Sequence, residues 1–465
     1  MIYLWRYIIP IILLNKLNCM KNILLSAIIL LSASCTFAKQ EVHLKGQLKN
    51  IGDTSIGMSY NGALSLIGNS RNIVIHTDRD GYFDTIVPLE KPEYYSISRN
   101  TLYLSPGDDL AVFITSSNTE ASFNGTGAEA NNYMKYRLFP KGGSYLESGK
   151  NVGENFMATK YVIDSLAAIR YAELDTLKNV SKVFKDLEKA RITADIINSY
   201  ITYMYYAKEL RNLSSPEERK QFLSQHATTI APYVNPLYKE INEDKYLNVA
   251  VVRDVFSYRS DYAEWFEGVE ETLFSKELYQ AARYAHTIDN ESGGEKLDEI
   301  ATAVSQLTDA GIKRELGFKI EKAGSLLPGK PAFDFQFVDT TDNVYHLSDF
   351  RGKIIYVDFW ATWCVPCLAE SPAYESLAEK FQGQNIVFLS ISIDTTKEIW
   401  LNYLAKHEKK LTQYYTSDTN YKEDWSIKYI PRFLLIDKEQ RIINAYAARP
   451  SQESTEELLR SLIEN

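Results

Sequence analysis

The stretch Ile354-Ile355-Tyr356-Val357-Asp358-Phe359-Trp360-Ala361-Thr362-Trp363-Cys364-Val365-Pro366-Cys367-Leu368-Ala369-Glu370-Ser371-Pro372 decides how this chain is read. Its first seven residues form a short, almost unbroken apolar run, as in a strand buried on both faces. The residues after Cys364 open a helix. Pro366 suits its first turn, where the N–H that proline lacks has no helical partner anyway. Two cysteines three apart at such a junction are placed for disulfide exchange. The thiolate is the nucleophile, and the free N–H groups and dipole of a helix N-terminus stabilise its charge. Cys364, outermost, is expected to attack; Cys367, one turn inside, is expected to be shielded and to resolve the mixed disulfide.

Other uses of the pair fit the sequence less well. Zinc needs four ligands, and the chain has four cysteines in all, with no second close pair and no His-x-His. The isolated histidines, His43, His76, His226 and His286, read as structural or solvated. A c-type haem site requires histidine after Cys367, where Leu368 stands. A purely structural disulfide across three residues closes almost no loop and stabilises little. The expectation is therefore a redox-active Cys364–Cys367 disulfide, with no metal and no other cofactor.

Three segments together resemble the TlpA/ResA branch of the thioredoxin superfamily, related to AhpC/TSA proteins. They are Pro328-Gly329-Lys330-Pro331-Ala332-Phe333-Asp334-Phe335, Leu347-Ser348-Asp349-Phe350-Arg351-Gly352-Lys353, and Val357 to Pro372. The resemblance covers roughly the C-terminal third. It implies a thioredoxin fold and an exported thiol–disulfide oxidoreductase that reduces protein disulfides, its partners being disulfide-bearing client proteins and a membrane electron donor of the thiol–disulfide type. It also implies residue roles. Asp358 matches the buried aspartate that exchanges a proton with the resolving cysteine; independently, a carboxylate within a buried strand is costly unless paired or protonated. Glu370 matches the glutamate of this branch and is expected on the Cys367 side of the helix, where a carboxylate can carry a proton as the disulfide opens; an ordinary first-turn glutamate is the plainer reading. Pro372 matches the proline that kinks the active-site helix. Tyr429-Ile430-Pro431-Arg432 resembles the family's cis-proline loop, in which the peptide groups of Ile430 would pair with an extended substrate and Pro431 would lie against the cysteines. Arg432 is read either as favouring a nearby thiolate or as lying on a solvated rim. Trp363 is expected as exposed contact surface and Trp360 as packing.

Outward from the motif, strands and helices alternate across 323–465: Phe335–Val338, Tyr345–Leu347, Lys353–Phe359, a helix, Ile386–Ile393, a helix, Phe433–Ile436, Ile442–Ala445 and a helix from about Gln452. That alternation implies a central sheet covered on both faces. Ala323 to Pro331, rich in Gly and Pro, reads as a linker. Residues 128–322 carry helical periodicity, with Val162, Leu166 and Ile169 on one face and Leu297, Ile300, Val304 and Leu307 on another. Ser214-Ser215-Pro216-Glu217 opens a capped helix. Tyr200, Tyr203, Tyr205 and Tyr206 cluster within one apparent helix and read as packing rather than as a peptide-binding surface. Residues 39–127 read as a small β-sandwich or barrel, with a hairpin at Asp80-Gly81 between Ile73-Val74-Ile75 and Tyr82-Phe83. Gly125-Thr126-Gly127 lacks a strand-to-helix context and does not read as a phosphate loop. The two upstream regions resemble domains fused ahead of such modules in Bacteroides-like bacteria. The whole is multidomain: a C-terminal α/β thioredoxin fold preceded by a β domain and a helical domain.

Residues 1–38 read as a signal region. Translation is expected to start at Met20, with the basic Lys21, the apolar run Ile23–Leu31 and small residues toward Ala38. Two fates are open: cleavage after Ala38, or lipidation at Cys35. Ser32, three before Cys35, fits the first better. Either way the mature chain, destined for the periplasm or cell envelope, is expected to hold only two free thiols, those of Cys364 and Cys367. At 465 residues, 45% hydrophobic and 24% charged, the chain is globular. Its 51 basic and 60 acidic residues give a net charge of −9, which excludes nucleic acid as an expected partner. A thiol peroxidase is disfavoured because Val357 and Trp360 stand where the peroxiredoxin motif requires proline. A surface binding protein with an accessory redox module is the non-enzymatic alternative.

Overall fold

The computed structural model describes residues 41–51, 54–135, 143–290, 294–418 and 420–464. The expected signal region, with Cys19 and Cys35, lies outside the described residues. Contacts divide the chain into two compact units. One holds most of the residues up to Thr272, the other Leu273–Asn465 together with the short segment Leu66–Ser70. The last helices of the helical stretch, from Leu273 on, group with the C-terminal domain in this second unit.

The first unit contains two four-stranded sheets. One has the order β4-β1-β7-β8 (Tyr82–Pro88, Glu41–Leu48, Asp109–Ile114, Ser122–Gly125); the other is β3-β2-β5-β6 (Ile73–His76, Ser55–Tyr60, Glu93–Ile97, Asn100–Leu104). They are two separate sheets rather than one closed barrel. Gly46 of β1 lies between two neighbouring strands, and a Cβ there would stand 1.8 Å from the Val112 carbonyl oxygen. The hairpin expected at Asp80-Gly81 does not form. The turn is present, built on the Asp78 carboxylate, which accepts from the N–H groups of Asp80 and Tyr82. The strands it joins, β3 and β4, pair with different partners, β2 and β1. Local turn chemistry specifies the reversal and leaves pairing to the two sheets.

Gly125-Thr126-Gly127 does join a strand to a helix, Ala128–Lys135, contrary to the sequence reading. The space a Cβ would take at Gly127 is bordered by the Asp108 carboxylate, 2.6 Å away, which opposes an anion there. In helix Phe156–Thr176 the buried face is Phe156, Thr159, Ile163, Ala167 and Leu174, while Ile169 is exposed, so the stripe is offset from the one expected. Ser215 caps helix Pro216–Glu240 in a complete capping box with Glu218. Helix Lys182–Thr202 ends before Tyr203, so the tyrosines do not share one helix. Tyr200 and Tyr203 pack on Phe156, whose ring also meets buried His226, and Tyr205 is exposed.

In the second unit helices Leu273–Asn290, Gly294–Ser305 and Ala310–Gly324 precede a seven-stranded sheet. Its order is β10-β9-β13-β12-β11-β14-β15: Val344–His346, Gln336–Val338, Gln413–Tyr415, Ile386–Ser392, Ile354–Trp360, Arg432–Ile436 and Ile442–Asn444. Central β11 runs parallel to β12 and antiparallel to β14. All seven of its residues are buried, as its apolar run requires. Successive side chains take opposite faces. Ile355, Val357 and Phe359 join the core with Phe335, Phe337 and Trp425; Ile354 and Tyr356 join the core with Tyr374 and Leu377 of helix Val365–Lys380. Asp358 shares the second parity and so belongs beneath that helix. Strand β13 and helix Asn420–Asp424 escaped the sequence reading, being only three and five residues long. The expected linker is not free chain: Gly324 closes a helix, Leu326 is core, and Gly329 and Lys330 exchange backbone hydrogen bonds with Ile442.

Candidate active site

The chain leaves β11 at Trp360, turns through Ala361-Thr362-Trp363, and enters helix Val365–Lys380 with Cys364 as its N-cap. Cys364 and Cys367 are joined, S–S 2.05 Å and Cα–Cα 5.3 Å. The Cys364 sulfur accepts the backbone N–H of Cys367 at 3.3 Å, so it sits on an amide at the end of the helix where negative charge is favoured. Pro366 is in the first turn and Pro372 inside the same helix.

Trp360, Ala361, Cys364, Cys367, Trp400 and Tyr415 form one buried cluster, against which Ile430 packs. The Ile430–Pro431 bond is cis. The peptide groups of Ile430 make no hydrogen bond among the described residues. Trp363 and Val365, on either side of Cys364, and Tyr429, next to Ile430, are exposed by 65%, 75% and 81%. The expected contrast between an open Cys364 and a shielded Cys367 is slight in this oxidised state, 4% against 2%.

Asp358 is fully buried, and its Oδ1 has no hydrogen-bond partner among the described residues. Burial pushes its carboxyl up to about 8; the charge of Lys409 pulls it down, and that of Glu370 adds to the rise. At neutral pH this group carries a proton that it can release or regain near neutrality. The partners of Glu370 lie in the segment before the last helix: its carboxylate accepts the Ser451 N–H at 3.1 Å and the Ser451 hydroxyl at 3.0 Å, with an Arg449 guanidinium nitrogen 3.7 Å away. Arg432 matches neither expectation. Its guanidinium lies 3.3 Å from the centre of the Tyr446 ring and donates from Nε to the Ala445 carbonyl, a packing position behind the loop.

Two residues here went unread in the sequence. Lys409 is largely buried; its Nζ donates to the Ser371 hydroxyl at 2.6 Å, lies 5.2 Å from the centre of the Trp360 ring and stands 3.8 Å from a Glu375 carboxylate oxygen. Asp394 accepts from the Thr362 N–H and hydroxyl and from the Ser392 hydroxyl, tying the turn before Cys364 to the end of β12. Lys409 sits in the polar run Lys406-His407-Glu408-Lys409-Lys410, which has the composition of a solvated loop. No group of metal-ligating side chains occurs among the described residues.

Residues 328–462 match the AhpC/TSA family. Thiol-disulfide oxidoreductase ResA of Bacillus thuringiensis subsp. konkukian is 26% identical over 134 residues, 29% of this chain and 78% of that protein. A crystal structure from Bacteroides vulgatus, named as a thiol-disulfide oxidoreductase, is 56% identical over 30% of this chain and 98% of its own, with a TM-score of 0.29. The C-terminal domain is a ResA-like member of the thioredoxin superfamily. A thioredoxin of Coprinus comatus is 44% identical over 64 residues, 14% of this chain and 59% of that protein. The ResA-like domain makes the chain a thiol–disulfide oxidoreductase, and its paired cysteines stand where a sequential strand, turn and helix place them.

Proposed function

We propose that the chain is an exported protein-disulfide reductase working through the Cys364/Cys367 dithiol. The observation that carries this reading is the joined pair at the start of a helix, with a buried carboxylate of raised pKa on the strand that leads into it. In the reduced protein the Cys364 thiolate attacks one sulfur of a client disulfide. That S–S bond breaks, a Cys364–client disulfide forms, and the other client sulfur leaves as a thiolate that takes up a proton. Asp358, from the fraction ionised near neutral pH, then takes the proton of Cys367, whose thiolate attacks the Cys364 sulfur; the second client sulfur leaves as a thiolate that takes up a proton, and Cys364–Cys367 closes. Two electrons pass from the dithiol to the client; a membrane electron donor of the thiol–disulfide type returns them.

The exposed rim of Trp363, Val365 and Tyr429 and the unpaired peptide groups of Ile430 suit an extended polypeptide, which would pair with backbone and press apolar side chains on the rim. Export follows from the signal-like residues 1–38, and anchoring through Cys35 is the variant of that reading. No helix among the described residues is long and apolar enough to cross a membrane. The test is reduction of insulin disulfides by the pre-reduced protein: wild type is expected to turn over, Cys364→Ser to be inactive, and Cys367→Ser to accumulate mixed disulfides. Full activity of Cys364→Ser would end the reading.

A further inference from the structure

Helices Leu273–Asn290 and Ala310–Gly324 lie in the same compact unit as the ResA-like domain. Asp289, in the last turn of the first, is shared by two cations. Lys319 of the second helix donates to Oδ1 at 2.5 Å, and the ammonium of Lys428 donates to Oδ2. Lys428 is two residues before Ile430, on the loop that packs against the disulfide cluster. A second tie joins Lys322 to Asp424, 3.5 Å apart, on the short helix Asn420–Asp424 that feeds the same loop.

Isolated surface ion pairs hold little, but a shared carboxylate with one largely buried partner is a network. The Lys319 side chain is 12% exposed and that of Asp289 26%. On its other side the loop is fixed by Arg432, bonded to the carbonyls of Ala445 and Trp425. Between these two anchors only Tyr429, Ile430 and Pro431 remain, and Ile430 offers its peptide groups.

We propose that Asp289, through Lys428, is a positioning residue for the polypeptide-binding segment Tyr429–Pro431, so that helices Leu273–Asn290 and Ala310–Gly324 brace that segment rather than serving as a spacer. The inference rests on the reading that client polypeptides bind along Ile430. Holding Lys428 fixes the backbone before a client arrives, which removes ordering cost from association with an extended chain. A small disulfide needs only Cys364 and gains nothing from the loop.

The test uses the full chain with Asp289→Asn, Lys428→Gln, the double variant and Asp289→Glu. For insulin, Asp289→Asn and Lys428→Gln are each expected to raise KM about threefold to fivefold with kcat unchanged. The double variant should be no worse than either single one, Asp289→Glu should restore wild-type KM, and turnover of hydroxyethyl disulfide should not change. Hydrogen exchange reads the loop without any turnover: peptides spanning 428–431 should exchange faster in both single variants. Unchanged exchange overturns the proposal even if the wild-type protein reduces no disulfide. Unchanged insulin KM, or an equal loss with hydroxyethyl disulfide, overturns it while leaving the reductase reading intact.

Discussion

Ser451 gives Glu370 two hydrogen bonds, one from its backbone N–H at 3.1 Å and one from its hydroxyl at 3.0 Å. The glutamate that the sequence places beside the resolving cysteine therefore also fastens the active-site helix to the chain before helix Glu453–Glu464. Its charge also pushes the buried carboxyl of Asp358 up.

Glu370→Gln should lower the Asp358 titration midpoint, since a negative neighbour is removed. Infrared titration of the buried carboxyl band reads this directly; an unmoved or raised midpoint contradicts it. The same variant keeps an acceptor for Ser451, so it should cost less stability than Glu370→Ala, which is expected to lose about 1–2 kcal/mol in denaturant unfolding.

Lys409→Met should move the same midpoint the other way. The ammonium is the largest influence opposing the rise of Asp358, so its loss leaves the carboxyl titrating above the wild-type value of about 8. The step that depends on Asp358 as proton acceptor, release of a client from a pre-formed Cys364 mixed disulfide, should shift its pH profile upward in parallel. A profile that does not move would assign Lys409 a packing role against Trp360 alone.

Asp358 also sets a pH dependence of stability. Its folded carboxyl titrates at about 8 against an ordinary 3.8, so the folded chain binds more protons than the unfolded chain between those values. Stability from this group is fully present below about pH 4 and falls as pH rises toward 8, by an amount on the order of 5 kcal/mol. Asp358→Asn removes that slope. The variant should be more stable than wild type at pH 8 by about 2 kcal/mol or more, and the difference should shrink toward pH 5 in paired urea titrations.

Reduction should free the Cys364 sulfur from the cluster in which the disulfide holds it. Brief iodoacetamide treatment of the reduced protein is expected to label Cys364 well before Cys367, because only the N-cap sulfur lies at the helix mouth beside the exposed rim. Mass spectrometry of the peptide carrying both cysteines distinguishes them, and preferential labelling of Cys367 would reverse their proposed roles.

Much of the site is legible because its signals are local. Cys364, Pro366 and Cys367 mark a helix start, and the apolar run around Asp358 announces a carboxyl in a buried strand. Other features failed to show because local sequence does not carry them. Asp78-Arg79-Asp80-Gly81 specifies a turn, yet which strands its arms pair with depends on β1 and β2, remote in sequence. Arg432, read either as favouring a nearby thiolate or as lying on a solvated rim, packs instead on Tyr446, fourteen positions on.

The sequence by itself determined the cysteine pair at a helix start, the strand that leads into it and the α/β alternation around them, because strand periodicity, helix starts and thiol spacing are properties of neighbouring residues. Tertiary structure alone decided that Lys409 counters Asp358, that Asp394 ties the turn before Cys364, that Glu370 bonds Ser451, and that Asp289 holds Lys428. Each joins charged or polar groups far apart along the chain. A lysine or aspartate in a polar segment has the same local composition whether it ends in water or over a buried ring. Only the packing that removes its water reveals which.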